Sequence, residues 1–381
     1  MENVHPLILI VLMILKSLLN KQKSSEKDVS MSWLRLTQEG LTEWLRKFGK
    51  THRLYGPVWT GSYHEFKLLQ DPGEIDWNYR NTRLSPKSLF LPPAEKMFVY
   101  SLDPNDPERA ILKEAPKDFT PRIIVGIRPC DAYALQLVDK NFITPQYQDP
   151  WWLNRRENTI FVGYGCTDPC STCFCSSVGS GPFDTRGLDV LVVNVDGGFA
   201  ISFVSERGKE LLRREPLGAR ALSESEERAL QDKMAQAKAA MPKLWDEKAV
   251  ASRPLLDIFN APFWEEVQFS CINCGTCTFL CPTCWCFDIQ DEVWKERGCR
   301  VRLWDSCMFP LFTLHASGHN PRSQKLQRVR QRFMHKLKYY VDKYGDGVAC
   351  VGCGRCVQFC PVNIDIREVM RLMVSHCQCA L

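Results

Sequence analysis

At 381 residues, with 45% hydrophobic and 24% charged residues, the chain has the composition of a globular protein with two or three domain cores and not that of a disordered one. The net charge of +5 is small for that length and no long basic run is interleaved with aromatics, so nucleic acid is not an expected partner. Nineteen cysteines are too many to leave unbound in a reducing cytoplasm, and a chain this long needs no disulfide framework, so most are expected to hold metal, the odd number leaving at least one free thiol.

Residues Pro6 to Leu15 form an apolar run that Lys16 interrupts. Spanning a bilayer takes about twenty apolar residues, so no membrane span is expected, and the basic start and cleavage site of a signal peptide are missing. Residues 1–30 are read as an extension or loose tail ahead of a second start at Met31, with a short membrane-surface anchor as the alternative. From Leu36 to Phe48 apolar residues recur at helical spacing. Short apolar runs at Met97–Leu102, Ile123–Ile127, Thr159–Gly163, Leu188–Val195 and Phe199–Val204 then alternate with helix-like segments such as Asp131–Asp139. That alternation predicts an α/β domain with a mixed sheet over residues 31–204.

Within this domain Cys166, Cys170, Cys173 and Cys175 crowd into ten residues, with Cys130 upstream in Arg128-Pro129-Cys130-Asp131. The spacing C-x3-C-x2-C-x-C matches no standard ferredoxin or zinc pattern, so it speaks only for metal or redox chemistry. A third [4Fe-4S] cluster held by four of these five is the favoured reading, with zinc or an exposed redox pair as the alternatives. The glycine-rich Ser177–Pro182 that follows lacks the Lys-Ser/Thr of a P-loop and the full dinucleotide-binding spacing, and reads as a tight turn closing around the cysteines. Residues 205–254, charged and rich in Ala, Leu, Glu and Lys, read as a helical bridge of surface helices.

The C-terminal part carries the strongest signal. Cys271, Cys274, Cys277 and Cys281-Pro282 give C-x2-C-x2-C-x3-C-P, and Cys350, Cys353, Cys356 and Cys360-Pro361 repeat it. Soft thiolates at this spacing suit iron, and the cysteine before proline in two-cluster ferredoxins ligates the opposite cluster. That rule assigns Cys271, Cys274, Cys277 and Cys360 to one [4Fe-4S] cluster and Cys350, Cys353, Cys356 and Cys281 to another. Zinc has no use for a third in-phase cysteine followed by Cys-Pro. The long insertion between the cassettes suggests the helical ferredoxin type, and its basic run from Gln324 to Lys343 reads as a solvated helix face. Cys284, Cys286, Cys299 and Cys307 are extra thiols that would tune or protect a cluster, or simply fill the core. Cys377 and Cys379 are tail cysteines of the same standing. His315 and His319 read as packing or capping residues, and no acid–base pair or activated nucleophile stands out.

The fold class expected is therefore α+β: an N-terminal mixed α/β domain, then a mainly helical two-[4Fe-4S] ferredoxin-like domain over residues 255–381. The ordered set of Gly126-Ile-Arg-Pro-Cys-Asp131, Cys166 to Pro182, Cys271 to Cys286 with its Cys-Pro-Thr-Cys-Trp-Cys, Trp304-Asp-Ser-Cys307, Gly318-His-Asn-Pro-Arg322 and Cys350 to Ile366 resembles a known family. It is that of the dicluster iron–sulfur subunits related to the beta subunit of soluble nickel-iron sulfhydrogenases and to the corresponding iron–sulfur component of anaerobic sulfite reductase. The resemblance runs from about Met31 onward. Gly165 stands where relatives often carry Asn, and Trp285 where they often carry Phe. It implies an electron-carrying subunit beside a flavin subunit that handles NAD(P)H and a catalytic module such as a hydrogenase, sulfite reductase or heterodisulfide-reductase-like unit. A self-contained reductase with an atypical cluster at Cys166–Cys175 is the other reading.

Overall fold

The computed structural model describes residues 32–246 and 248–375. The expected extension at residues 1–30, and Cys377 and Cys379, lie outside the described residues. The N-terminal region is built on strands β1 (Leu34–Leu36), β2 (Arg53–Trp59), β3 (His64–Leu68), β4 (Ala94–Ser101), β5 (Lys113–Glu114), β6 (Arg122–Ile127), β7 (Thr159–Tyr164), β8 (Val190–Val195), β9 (Gly198–Phe203) and β10 (Arg220–Ala221). Eight of them form one mixed sheet in the order β10-β1-β9-β8-β7-β6-β2-β3, with β2, β6, β7 and β8 mutually parallel where they neighbour.

Strand alternation sends Ile123, Val125, Val162, Val190 and Val192 to one face of this sheet, and Ile124, Ile127, Phe161, Leu191 and Val193 to the other. Both faces are covered, which is why the central strands read as nearly unbroken apolar runs. Helix α1 (Gln38–Phe48), capped by Thr37, brings Leu41, Trp44 and Leu45 to the first face. Helices α2 (Pro129–Phe142) and α3 (Pro150–Glu157) bring Leu135, Val138 and Trp152 to the second. Residues 205–246 supply two helices with serine caps, α4 (Glu206–Arg214) and α5 (Glu224–Ala239), and between them the edge strand β10.

The C-terminal region is helical around its cysteine loops. Helix α6 (Phe263–Phe269), helix α7 (Lys325–Met334), continued by a wide turn through Tyr339, and helix α8 (Ile366–Ser375) enclose Trp264, Val329, Phe333, Leu337, Met370 and Met373. The insertion between the cassettes departs from the helical expectation in its first part. There β11 (Phe287–Trp294) and β12 (Arg297–Trp304) form a hairpin, and β12 pairs with β4 to give a second sheet, β11-β12-β4-β5. Buried Arg302 fastens this joint through ion pairs with Glu95 on β4 and, at 2.6 Å, with Asp149 at the cap of α3.

Candidate metal centres

Strand β6 ends in a bulge at Gly126, whose φ of +77° and 3.0 Å approach to Pro57 admit only glycine without strain. The chain then turns through Arg128 into α2, so Cys130 and Asp131 stand just past the C-terminal end of β6. Cys166 stands just past the end of its parallel neighbour β7. This is the edge at which open α/β sheets hold their ligands. The Cys166–Pro182 loop folds back on itself, with the Cys166 amide donating to Pro182 O at 3.0 Å, and so places Cys173 and Cys175 opposite. Cys130, Cys166, Cys173 and Cys175 line one cavity, and Cys170 lies alongside it against Cys173. The hydrogen bond from Cys173 holds the Cys170 thiol down to about 6, whereas burial pushes Cys175 up to about 12. Buried Arg128 stacks on Tyr79 and Tyr164 and donates to the Gly165 and Arg80 carbonyls at 3.0 Å, and among the described residues no carboxylate pairs with it, so its charge faces the thiols.

In the first cassette Asn273 and Gly275 adopt φ of +55° and +75°, which turns the loop so that Cys271, Cys274 and Cys277 face a single cavity together with Cys360. The remaining wall is mostly apolar, with Met308, Val329, Phe333 and Ile364, and Arg332 joins it. Backbone amides point at sulfur, Asn273 N to Cys271 Sγ at 3.4 Å and Ile364 N to Cys360 Sγ at 3.2 Å, the kind of contact that sets cluster potentials. Cys274 is exposed, so this site meets the surface.

In the second cassette Cys350 and Cys353 are buried, and Cys281 arrives from the first cassette on a polar anchor. Cys281 Sγ lies 3.2 Å from the Thr283 hydroxyl, which donates to Ala349 O at 2.7 Å and accepts from Lys336 Nζ at 2.7 Å. The anchor ties the residue before Pro282 to the start of the other cassette. Cys281 thereby stands among Cys350, Cys353 and Cys356, whose thiols are raised by burial first and by its charge in addition. The sites also adjoin. Cys356 lines the first cassette's cavity, and Cys353 lines the Cys130 cavity, where its carbonyl accepts from Cys173 Sγ at 3.5 Å and from Asn81 Nδ2 at 3.1 Å.

The basic run from Gln324 to Lys343 is not a solvated face. Arg328, Arg332, Lys336 and Lys338 are 3–7% exposed, and the first three, four residues apart, form one stripe along α7 and its extension. Two of them look toward sulfur: the thiolates nearby raise both Arg332 and Lys336 against the lowering effect of their burial. Arg332 Nε and Nη1 find no hydrogen-bond partner among protein atoms. Orphaned cationic donors at a thiol-lined cavity fit an anionic group with sulfide acceptors, and an iron–sulfur cluster is such a group. The spacing of the basic residues was the signal for this role, hidden by the usual exposure of Lys and Arg.

A 4Fe-4S dicluster domain is matched over residues 270–364. Sulfhydrogenase 2 subunit beta of Pyrococcus furiosus is 30% identical over 345 residues, which cover 89% of this chain and 98% of that protein. This chain belongs to the sulfhydrogenase beta-subunit family. It carries two [4Fe-4S] clusters in its C-terminal dicluster domain. No solved structure matches the chain. No helix among the described residues is long and apolar enough to cross a membrane.

Proposed function

We propose that this subunit is a cytoplasmic electron relay between a flavin subunit that handles NAD(P)H and a catalytic oxidoreductase module, of which a hydrogenase is the nearest candidate by kinship. Cys271, Cys274, Cys277 and Cys360 would hold one cluster, and Cys350, Cys353, Cys356 and Cys281 the other. Four of Cys130, Cys166, Cys170, Cys173 and Cys175 would hold a third. Bound there, each cluster supplies one-electron storage without proton chemistry. The chain's own residues separate these sites by single side chains, Cys356 between the first and second and Cys353 between the second and third. They bury Cys281, Cys350 and Cys353 at the middle site and leave the thiols of the outer two sites, Cys175 apart, partly or fully exposed.

The observation that carries this reading is the adjacency of three thiol-lined sites, from exposed Cys274 to the edge of the large sheet. In protein purified without oxygen the Cys130 group should contribute about four irons and about four acid-labile sulfides beyond those of the two cassettes. Replacing Cys173 and Cys175 together should remove about four irons and interrupt electron flow between copurified partners. Full iron in that variant would return the segment to a structural or zinc role. A self-contained reductase remains the competing reading because five thiols surround a site that needs four. An isolated chain that turns over a substrate without any partner would replace the relay with it.

A further inference from the structure

Three cysteines outside these sites converge as well. Cys284 and Cys286 leave the first cassette in Cys-Pro-Thr-Cys-Trp-Cys, and Cys307 returns to them after β12 in Trp-Asp-Ser-Cys. The Asp305 amide donates to Cys286 O at 3.0 Å and joins the two segments. The three thiols line a cavity of their own with Thr283, Arg332, Lys336 and His335, whose imidazole could supply a further ligand. Lys87 reaches across from the N-terminal region and is 3% exposed; its Nζ donates to Cys284 O at 2.9 Å and sits 4.3 Å over the Trp304 ring.

We propose that Cys284, Cys286 and Cys307 bind a further iron–sulfur cluster through three cysteine thiolates, with Lys87, Lys336 and Arg332 as its counter-charges. The inference is independent of the cluster proposed at the Cys130 group. Its basis is charge. Among the described residues the groups acting on these three cations are cysteines, one another and carbonyl or hydroxyl oxygens, with no carboxylate in ion-pair contact. A buried cation without a counter-ion costs several kcal/mol, and three side by side also repel. The two ferredoxin clusters offer negative charge to Arg332 and Lys336. Lys87 is held beside this cavity by its hydrogen bond to Cys284 O at 2.9 Å; burial disfavours its ammonium, and negative charge on Cys284, Cys281 and Cys286 offsets that.

The rival occupants fit less well. A Cys286–Cys307 disulfide would remove two thiolates and leave the cations facing neutral sulfur. A single zinc ion would draw its sulfurs to about 2.3 Å, and no three Cys, His, Asp or Glu side chains among the described residues close around one ion. A cluster spreads its thiolates apart and adds bridging sulfides that accept the orphaned Arg332 donors. Three cysteines satisfy a [3Fe-4S] cluster, or a [4Fe-4S] cluster with one iron left for another ligand.

The test uses the full chain purified without oxygen. Iron, zinc and acid-labile sulfide are counted in the parent, in Cys286→Ala/Cys307→Ala, in Cys173→Ala/Cys175→Ala and in the quadruple variant. Loss of about three or four irons with matching sulfide in the first double variant, additive with whatever the second double variant loses, is expected. Unchanged iron and sulfide in the first double variant, or loss of one zinc without sulfide, overturns the proposal. Should that variant fail to accumulate, Lys87→Met keeps every ligand. An electron paramagnetic resonance titration of it should then show a signal beyond those of the two cassettes and of the Cys173/Cys175-dependent site. The midpoint of that signal should lie below its parent value, because a neighbouring cation favours the reduced state. No such signal in parent or variant refutes the cluster.

Discussion

Asp131→Asn should loosen the second cassette, although Asp131 belongs to the N-terminal region. Arg355 sits between Cys353 and Cys356 and donates to both carboxylate oxygens of Asp131, Nη1 at 2.6 Å and Nη2 at 2.7 Å, with 0% and 1% of the two side chains exposed. Its Nε and Nη2 also reach Thr82 O and Oγ1 at 2.8 and 3.0 Å. Asparagine keeps one acceptor but removes the charge, leaving a buried guanidinium uncompensated at a cost of about 3–5 kcal/mol. At about 1.4 kcal/mol per decade, local opening becomes roughly a hundred to a few thousand times more frequent. The assay is anaerobic iron release to a chelator at concentrations where reclosing outpaces capture, so that the rate follows the open population. A rate within threefold of the parent would refute the ion pair's role. The compensated variant Asp131→Leu/Arg355→Met, which removes both charges, should recover most of the loss, since buried pairs are often replaceable by apolar groups.

Other outcomes follow from the same geometry. Cys281→Ser should perturb the cluster built on Cys350, Cys353 and Cys356 and spare the one on Cys271; spectroscopic change confined to the Cys271 cluster would show the crossed assignment to be wrong. Gly354→Ala should cost about 1–2 kcal/mol from its φ of +73° alone, and more because its Cβ would stand 2.7 Å from the Thr172 backbone; iron release from the Cys130 group should rise with it, and unchanged release would remove the loop contact from the argument. Stripping iron should expose the strain of Arg332 and Lys336, so hydrogen exchange should accelerate in Lys325–Tyr344 while β6, β7 and β8 stay protected. Equal protection of that segment with and without iron would mean that its cations do not depend on the clusters.

The two cassettes were legible because ligand spacing is local: three in-phase cysteines and a Cys-Pro fix the chemistry within twelve residues. The central strands were legible because burial on both faces writes an apolar run, as in Arg122–Ile127. The hairpin was not. Phe287, Ile289 and Val293 alternate in β11, but Asp291 interrupts them and the strand is exposed after Phe287, while β12 finds its partner β4 about two hundred residues away. The buried stripe Arg328, Arg332 and Lys336 was missed for a different reason. Its period is helical and visible, but the counter-charge that makes its burial tolerable belongs to thiolates scattered over three segments. The same scattering hid Cys284, Cys286 and Cys307, two on one strand of sequence and one beyond the hairpin.

Main chain as well as side chains joins the two halves of the chain. Gly352 and Gly354 hold φ of +63° and +73°, and any Cβ there would stand 2.5 Å from Cys175 N or from Thr172 Oγ1, so the second cassette presses main chain against the Cys170–Cys175 loop. The Phe174 amide donates to Gly352 O at 2.8 Å across this contact. Main-chain packing of this closeness leaves little room for the relative position of the Cys353 and Cys173 sites to vary. Differences in rate or direction between members of the family would then have to come from potentials, through amides aimed at sulfur and the buried cations Arg128, Arg332 and Lys336, rather than from distance. Arg128 reaches its site from the turn before α2, and Arg332 and Lys336 reach theirs from α7 and its extension, so potentials are open to adjustment by substitutions that move no ligand.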